Sequence, residues 1–148
     1  INEKSEYNHI LIDCPPSLSL LTIMALVASN NVIIPLQTEF FALEGVSQLI
    51  KTIERVKQNL NTSLDIQGVI LTMYDKRNKL CSQVESEARR YFEDKVYKSV
   101  IPRNVRISEA PSHGVPVIEY DKNCTGTIAY ENLAKEVLEQ YNNNNVAA

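Results

Sequence analysis

Four short runs of apolar, largely β-branched residues recur along the chain with helical patterns between them, and this alternation restricts the fold more than any other feature. The runs are HILID at 9–13, NVIIPL at 31–36, IQGVILT at 66–72 and VYKSVIP at 96–102. Each suits a strand buried on both faces, because an all-apolar run has no polar side to turn to water. Between them the spacing predicts helices. One covers Leu18 to Ala28, capped by Ser17 and apolar on nearly every side, as a helix packed deep against a sheet would be. A longer one carries Ala42, Leu43, Val46, Leu49, Ile50, Ile53, Val56 and Leu60 as a single stripe opposite Glu44, Lys51, Arg55 and Gln58. A third runs from about Lys79 to Phe92, and a last from about Thr127 to Tyr141 with Ile128, Leu133, Ala134, Val137 and Leu138 inward. Strand and helix alternating in this way predict right-handed crossovers and an α/β fold, a mainly parallel sheet flanked by helices.

In open sheets of this kind ligands bind beyond the carboxyl ends of the strands. That rule sorts the polar residues. Asp13 follows the first run, Gln37 and Glu39 the second, Thr72, Tyr74 and Asp75 the third, and Arg103, Asn104 and Arg106 the fourth. All fall on one edge, which the prolines Pro15, Pro16, Pro35 and Pro102 stiffen. A ligand site is expected there, its chemistry open at this point.

The 148 residues make one domain's worth of chain, and 44% hydrophobic with 22% charged residues is ordinary globular composition. The longest apolar stretch, Leu18 to Ala28, is too short to span a bilayer, and no cleavable signal opens the chain, so a cytoplasmic location is expected. Cys14, Cys81 and Cys124 lack C-x-x-C spacing and are expected as free thiols. The net charge of -3 is unevenly spread. Lys76 to Arg106 holds nine basic and four acidic residues, a local +5 on a body of -8. A phosphate-backbone binder would show such a basic face, and so would a solvated helix surface of mixed charge.

The segments YNHILIDCPPSLSLLTIMALVASNNVIIPLQTEFFALEGVSQLI, GVILTMYDKRNKL and VIPRNVRISEAPSHGVPVIEYD together resemble the ParA/Soj family of chromosome- and plasmid-partitioning ATPases, from about Tyr7 to Leu138. The resemblance implies a deviant-Walker P-loop NTPase fold. That family's P-loop, K-G-G-x-G-K-T, has no counterpart here, since none of Gly45, Gly68, Gly114 and Gly126 precedes a lysine. The D-x-D-P-Q-G segment is also missing. Residues 1–141 are therefore expected to be the C-terminal part of a single ATPase domain without its P-loop strand, followed by a disordered tail at 142–148. The HILID run would then have an unpaired apolar edge, and the chain alone is expected to be marginally stable or oligomeric.

Carried over residue by residue, the resemblance gives Asp13 the Walker B role, acting on Mg²⁺ through water. It sets Met73, Pro102 and Asn104 beside the adenine of ATP, and places Glu39 and Glu44 near the nucleotide and the dimer interface. Arg77 and Arg106 match arginines that bind DNA without reading its sequence. Val115 stands where relatives often have Lys, which weakens the basic patch. The implied partners are non-specific nucleoid DNA, a ParB-type protein and a second copy of the chain joined through ATP, with no membrane. The implied location is cytoplasmic and nucleoid-associated, and ATPase activity is expected of the complete protein but not of these residues alone. Three other readings compete. A MinD-type membrane ATPase would need a basic amphipathic C-terminal helix, whereas TIAYENLAKEVLEQY has one lysine against three glutamates. A phosphoacceptor signalling domain would use Asp13 and Thr72, but Arg103 stands where its lysine belongs. A catalytically inactive DNA-binding or dimerising fragment is the third.

Overall fold

The computed structural model describes residues 7–15 and 19–146. Strands β1 (Asn31–Gln37), β2 (Asp65–Tyr74) and β3 (Val96–Pro102) form a parallel sheet in sequence order. The helices are α1 (Leu20–Ala28), α2 (Ala42–Asn59), α3 (Lys79–Phe92), α4 (Val105–Glu109), α5 (Val117–Tyr120) and α6 (Thr125–Val146). Parallel neighbours require a crossover, and α2 and α3 supply it between successive strands. The expected α/β architecture, a parallel sheet flanked by helices, is what forms.

Alternation along the strands divides the core in two. Ile34, Leu36, Val69, Leu71 and Val96 pack with Leu26 of α1, Val46, Ile53 and Val56 of α2, and Ala88 and Phe92 of α3. On the other face Ile33, Ile70, Tyr97 and Ile101 meet Ile107 of α4 and Ala129, Leu133 and Val137 of α6. Ile128 and Leu138 are half exposed and Ala134 is exposed, contrary to their expected inward placement. The inward face of α6 follows the four-residue step 129, 133, 137, which leaves Ile128, Ala134 and Leu138 reached by solvent.

Two further expectations fail near the N-terminus. Residues 9–13 form no strand, and Ile10, Leu11 and Ile12 are 67%, 88% and 51% exposed. An extended run is stabilised only when its N–H and C=O groups find a neighbouring strand, and this one does not pair with β1. Helix α1 is likewise not packed deep, since Leu20, Leu21 and Met24 face outward while Thr22 and Leu26 are buried. It rests on α2 by one side with its other side open. Ser17, the expected cap, lies outside the described residues; Ser19 precedes the helix, without a side-chain bond to its backbone N–H groups. Residues 142–146, read from sequence as tail, continue α6.

Two irregularities shape β3 and the end of β2. Between the paired positions Val69↔Val96 and Leu71↔Val100, β3 contains two more residues than β2. The N–H groups of Lys98 and Ser99 donate instead to the Glu136 carboxylate of α6, at 2.7 and 2.9 Å. Between Leu71↔Val100 and Tyr74↔Pro102 the surplus is on β2, where Met73 takes a left-handed φ of +54°. That conformation is uncommon for a side chain of this kind and sits at the strand's carboxyl end.

Candidate functional site

The carboxyl ends of the three strands are tied together by short polar links. Thr38, 2% exposed, donates its N–H to the Thr72 carbonyl at 3.1 Å. Its hydroxyl lies 3.3 Å from the carbonyls of Thr72 and Met73 and from Cys81 Sγ on α3. Across the next pair, Arg103 N–H donates to the Tyr74 carbonyl at 3.0 Å. The Tyr74 hydroxyl donates to Glu85 at 2.6 Å, and Glu85 accepts from Arg89 at 3.0 Å. Partial burial pushes the Glu85 carboxyl up, but these two donors outweigh it and hold the group below the usual carboxylate range.

Two hollows open along this edge. One, of about 330 Å³, is polar and lies among Thr38, Glu39, Met73, Asp75, Cys81 and Arg103. The other, of about 550 Å³, has an apolar floor of Val100, Pro102, Ile128 and Ala129, and its rim carries Lys76, Arg77 and Arg103. Arg103 borders both, 3.6 Å from Glu39.

The sequence-predicted residues are partly assembled here. Met73 lines the smaller hollow and Pro102 the larger. Asn104 lines neither: its Oδ1 caps α4 by accepting from Arg106 N–H at 2.8 Å, and its Nδ2 donates to Thr125 Oγ1 at 2.8 Å. Asp13 is exposed on unpaired chain and borders neither hollow. Arg77 is almost fully exposed and bound to Asp75 by three hydrogen bonds, from its backbone N–H, Nε and Nη2 at 3.0 to 3.1 Å. Those bonds hold the Asp75 carboxyl below its usual range. Arg106 Nη1 meets Glu109 at 2.9 Å, and its Nε lies 3.5 Å from Asp121. Sequence pattern did not single out Thr38 as part of the site or join Cys81 to it. Thr38 is flanked by the polar Gln37 and Glu39, and only its long-range contacts to Thr72, Met73 and Cys81 mark it.

Comparison with known proteins decides the family. The chain is 58% identical over 138 residues to the chromosome partitioning protein ParA of Caulobacter vibrioides, covering 93% of this chain and 52% of that protein. It is 60% identical over 134 residues to the sporulation initiation inhibitor protein Soj of Bacillus subtilis, covering 90% and 53%. The chain belongs to the ParA/Soj family. A family model described as an AAA domain matches residues 2–66. Among solved structures, the cobyrinic acid a,c-diamide synthase of Mycobacterium smegmatis with bound ATP analog and magnesium superposes with a TM-score of 0.71 at 34% identity. That match covers 87% of this chain and 47% of the synthase.

This ParA/Soj chain spans about half the length of the curated relatives it matches. Among its described residues no helix is long and apolar enough to cross a membrane. No three His, Cys, Asp or Glu residues among them converge as a metal site.

Proposed function

We propose that the chain is the part of a partitioning ATPase that holds the base of ATP and presents a DNA-binding rim. The observation that carries this reading is the larger hollow, in which an apolar floor adjoins three cations at the carboxyl edge of a parallel sheet. A planar base fits such a floor, and the phosphates of DNA fit such a rim. The synthase that superposes on the chain was solved with an ATP analog and magnesium, which supports nucleotide as the ligand.

The residues present fit the base end of a nucleotide and not its triphosphate end. No glycine-rich, lysine-bearing loop occurs in the 148 residues, and Asp13 is not held against the edge. When bound, Mg²⁺ would neutralise the charge on the transferred phosphoryl group. This chain's own share is narrower: Pro102 borders the base, Met73 lines the smaller hollow instead, Asn104 holds the start of α4 in place, and Asp13 would reach the metal through water once a neighbouring strand holds 9–13 extended.

In a protein of the relatives' full length, ATP closes a dimer, the dimer binds nucleoid DNA through Arg77 and Arg106, and a ParB-type partner stimulates hydrolysis and release. This cycle segregates chromosomes or plasmids. The chain alone should show no ATP turnover but should retain duplex DNA at low salt. Arg77→Ala or Arg106→Ala should weaken that retention and flatten its salt dependence by about one unit of slope. Identical titrations for both variants and the parent would remove the DNA assignment. Joined to the half of the Bacillus Soj protein that the match leaves uncovered, the chain should hydrolyse ATP, and Asp13→Ala should abolish the turnover.

A further inference from the structure

The two arginines proposed to bind DNA, Arg77 at the larger hollow and Arg106 on α4, each already have an acidic partner. Asp75 takes three hydrogen bonds from Arg77, one from the backbone and two from the guanidinium. Glu109 takes Arg106 Nη1 at 2.9 Å and also accepts from the Tyr120 hydroxyl at 3.2 Å. Asp121 stands 3.5 Å from Arg106 Nε. Lys76 and Lys79, near Arg77 in sequence, make no ion pair among the described residues. The rim thus presents unpaired lysines and charge-compensated arginines.

We propose that Asp75, Glu109 and Asp121 restrain DNA binding by occupying the guanidinium groups of Arg77 and Arg106, so that a phosphate must displace a carboxylate to be bound. This rests on the DNA-binding reading above. An arginine offers a planar fork that a carboxylate and a phosphate fit equally well, and one edge of it cannot serve both at once. The pairs are solvent-exposed, so they exchange readily and weaken the contact without blocking it. Each carboxylate also repels the incoming phosphate directly. The three acids are positioning residues and would set how tightly this rim holds DNA, keeping attachment reversible.

Neutral isosteres separate charge from shape. In Asp75→Asn the side-chain oxygen that accepts Arg77 N–H remains, so the turn at 75–78 is kept. Glu109→Gln keeps an acceptor for Tyr120, and Asp121→Asn keeps the oxygen that accepts Asn123 N–H at 3.1 Å. Binding of the 148-residue chain to a fluorescent random-sequence duplex is measured across a salt series. Each substitution should tighten binding roughly two- to fivefold at low salt, the scale of one charge interaction at close range in water. The gain should shrink above about 0.15 M salt, where screening sets in beyond about 8 Å. It should be largely lost when Asp75→Asn is combined with Arg77→Ala, because the carboxylate acts through that arginine. If the arginine variants weaken binding while the Asn and Gln variants leave it unchanged or weaker, the restraint is overturned and the DNA reading stands. If the arginine variants have no effect, both fall. A gain that survives the Arg77→Ala background also overturns the restraint, since the acid would then act as bulk charge.

Discussion

The described residues ahead of β1, 7–15 and 19–28, and residues 31–142 are built from the same kinds of side chain and end largely in opposite states. Ile12 is 51% exposed and Ile34 is 2% exposed; Leu11 is 88% exposed and Leu71 is completely buried. Hydropathy does not separate these pairs. The body has three strands that pair with one another and helices on both faces, whereas the arm has no strand neighbour and is held through one side of α1, by Leu26 in the core and by Asn61 Nδ2, which donates to the Leu26 and Val27 carbonyls at 3.1 Å. Among described ring contacts the arm gains one more support, His9 edge-on to Tyr141 of α6 at 4.9 Å. An apolar run therefore states a capacity for burial, and a hydrogen-bonding neighbour decides whether that capacity is used.

The sharpest way to break this comparison is to truncate one leucine on each side. Leu71→Ala removes a fully buried side chain and should cost about 2–5 kcal/mol, whereas Leu11→Ala should stay within about 0.5 kcal/mol. Denaturant midpoints measure both. Leu11→Ser should in addition lower self-association in sedimentation, since exposed apolar groups on unpaired chain promote it. Equal destabilisation by the two alanine variants would show the arm to be packed after all.

A second test falls inside the body, where β3 crowds β2. The Tyr97 ring lies directly over Gly68, and a Cβ there would come within 2.4 Å of Tyr97 Cε2. The ring is fully buried, with a hydroxyl that has no hydrogen-bond partner among the described residues. Burial, with the Glu136 charge as a lesser cause, pushes its pKa up to about 12. Gly68→Ala forces the ring to move in a packed interior and should cost about 1–3 kcal/mol. An unchanged melting temperature would mean that the ring has room to retreat.

These cases mark what the sequence makes legible. Strands β1, β2 and β3, and α3 from Lys79 to Phe92, stand where periodicity and breakers put them, because their apolar positions repeat at the period of the element and their partners lie within the chain. The convergence of Glu39, Asp75 and Arg103 at one edge was also readable, since parallel strands carry all their carboxyl ends to one side. The exposure of the arm was not, because pairing is a property of two segments. The pairing of Arg77 with Asp75 could be suspected from spacing, but the double hold on Arg106 needs Asp121, fifteen residues away and brought back by α5. The close approach at Gly68 and the surplus residues of β3 depend on register, which composition does not carry.

Glu136 offers the smallest of the expected effects and tests how the body fastens its second layer. Its carboxylate takes the N–H groups of Lys98 and Ser99, which the surplus residues in β3 leave without strand partners. Partial burial raises its pKa, but the two backbone donors and then the Ser99 hydroxyl and Lys98 charge outweigh that and leave it below the ordinary value of 4.5. A depressed pKa in the folded state means the folded state prefers the ionised form. Its contribution to stability is therefore complete above the ordinary value and lost as pH falls through the folded one. Because the group is largely reached by solvent, the contribution is about 1 kcal/mol or less. Glu136→Gln keeps one acceptor oxygen but sets its NH2 against the other of the two backbone N–H groups, and should lower stability by about 1 kcal/mol at neutral pH. It should also flatten part of the acid-side fall, where Asp65, Asp75 and Glu85 still titrate with depressed values of their own. A variant whose stability runs parallel to the parent from about pH 3 to pH 7 would show that α6 is held on β3 by Leu133 and its apolar neighbours alone.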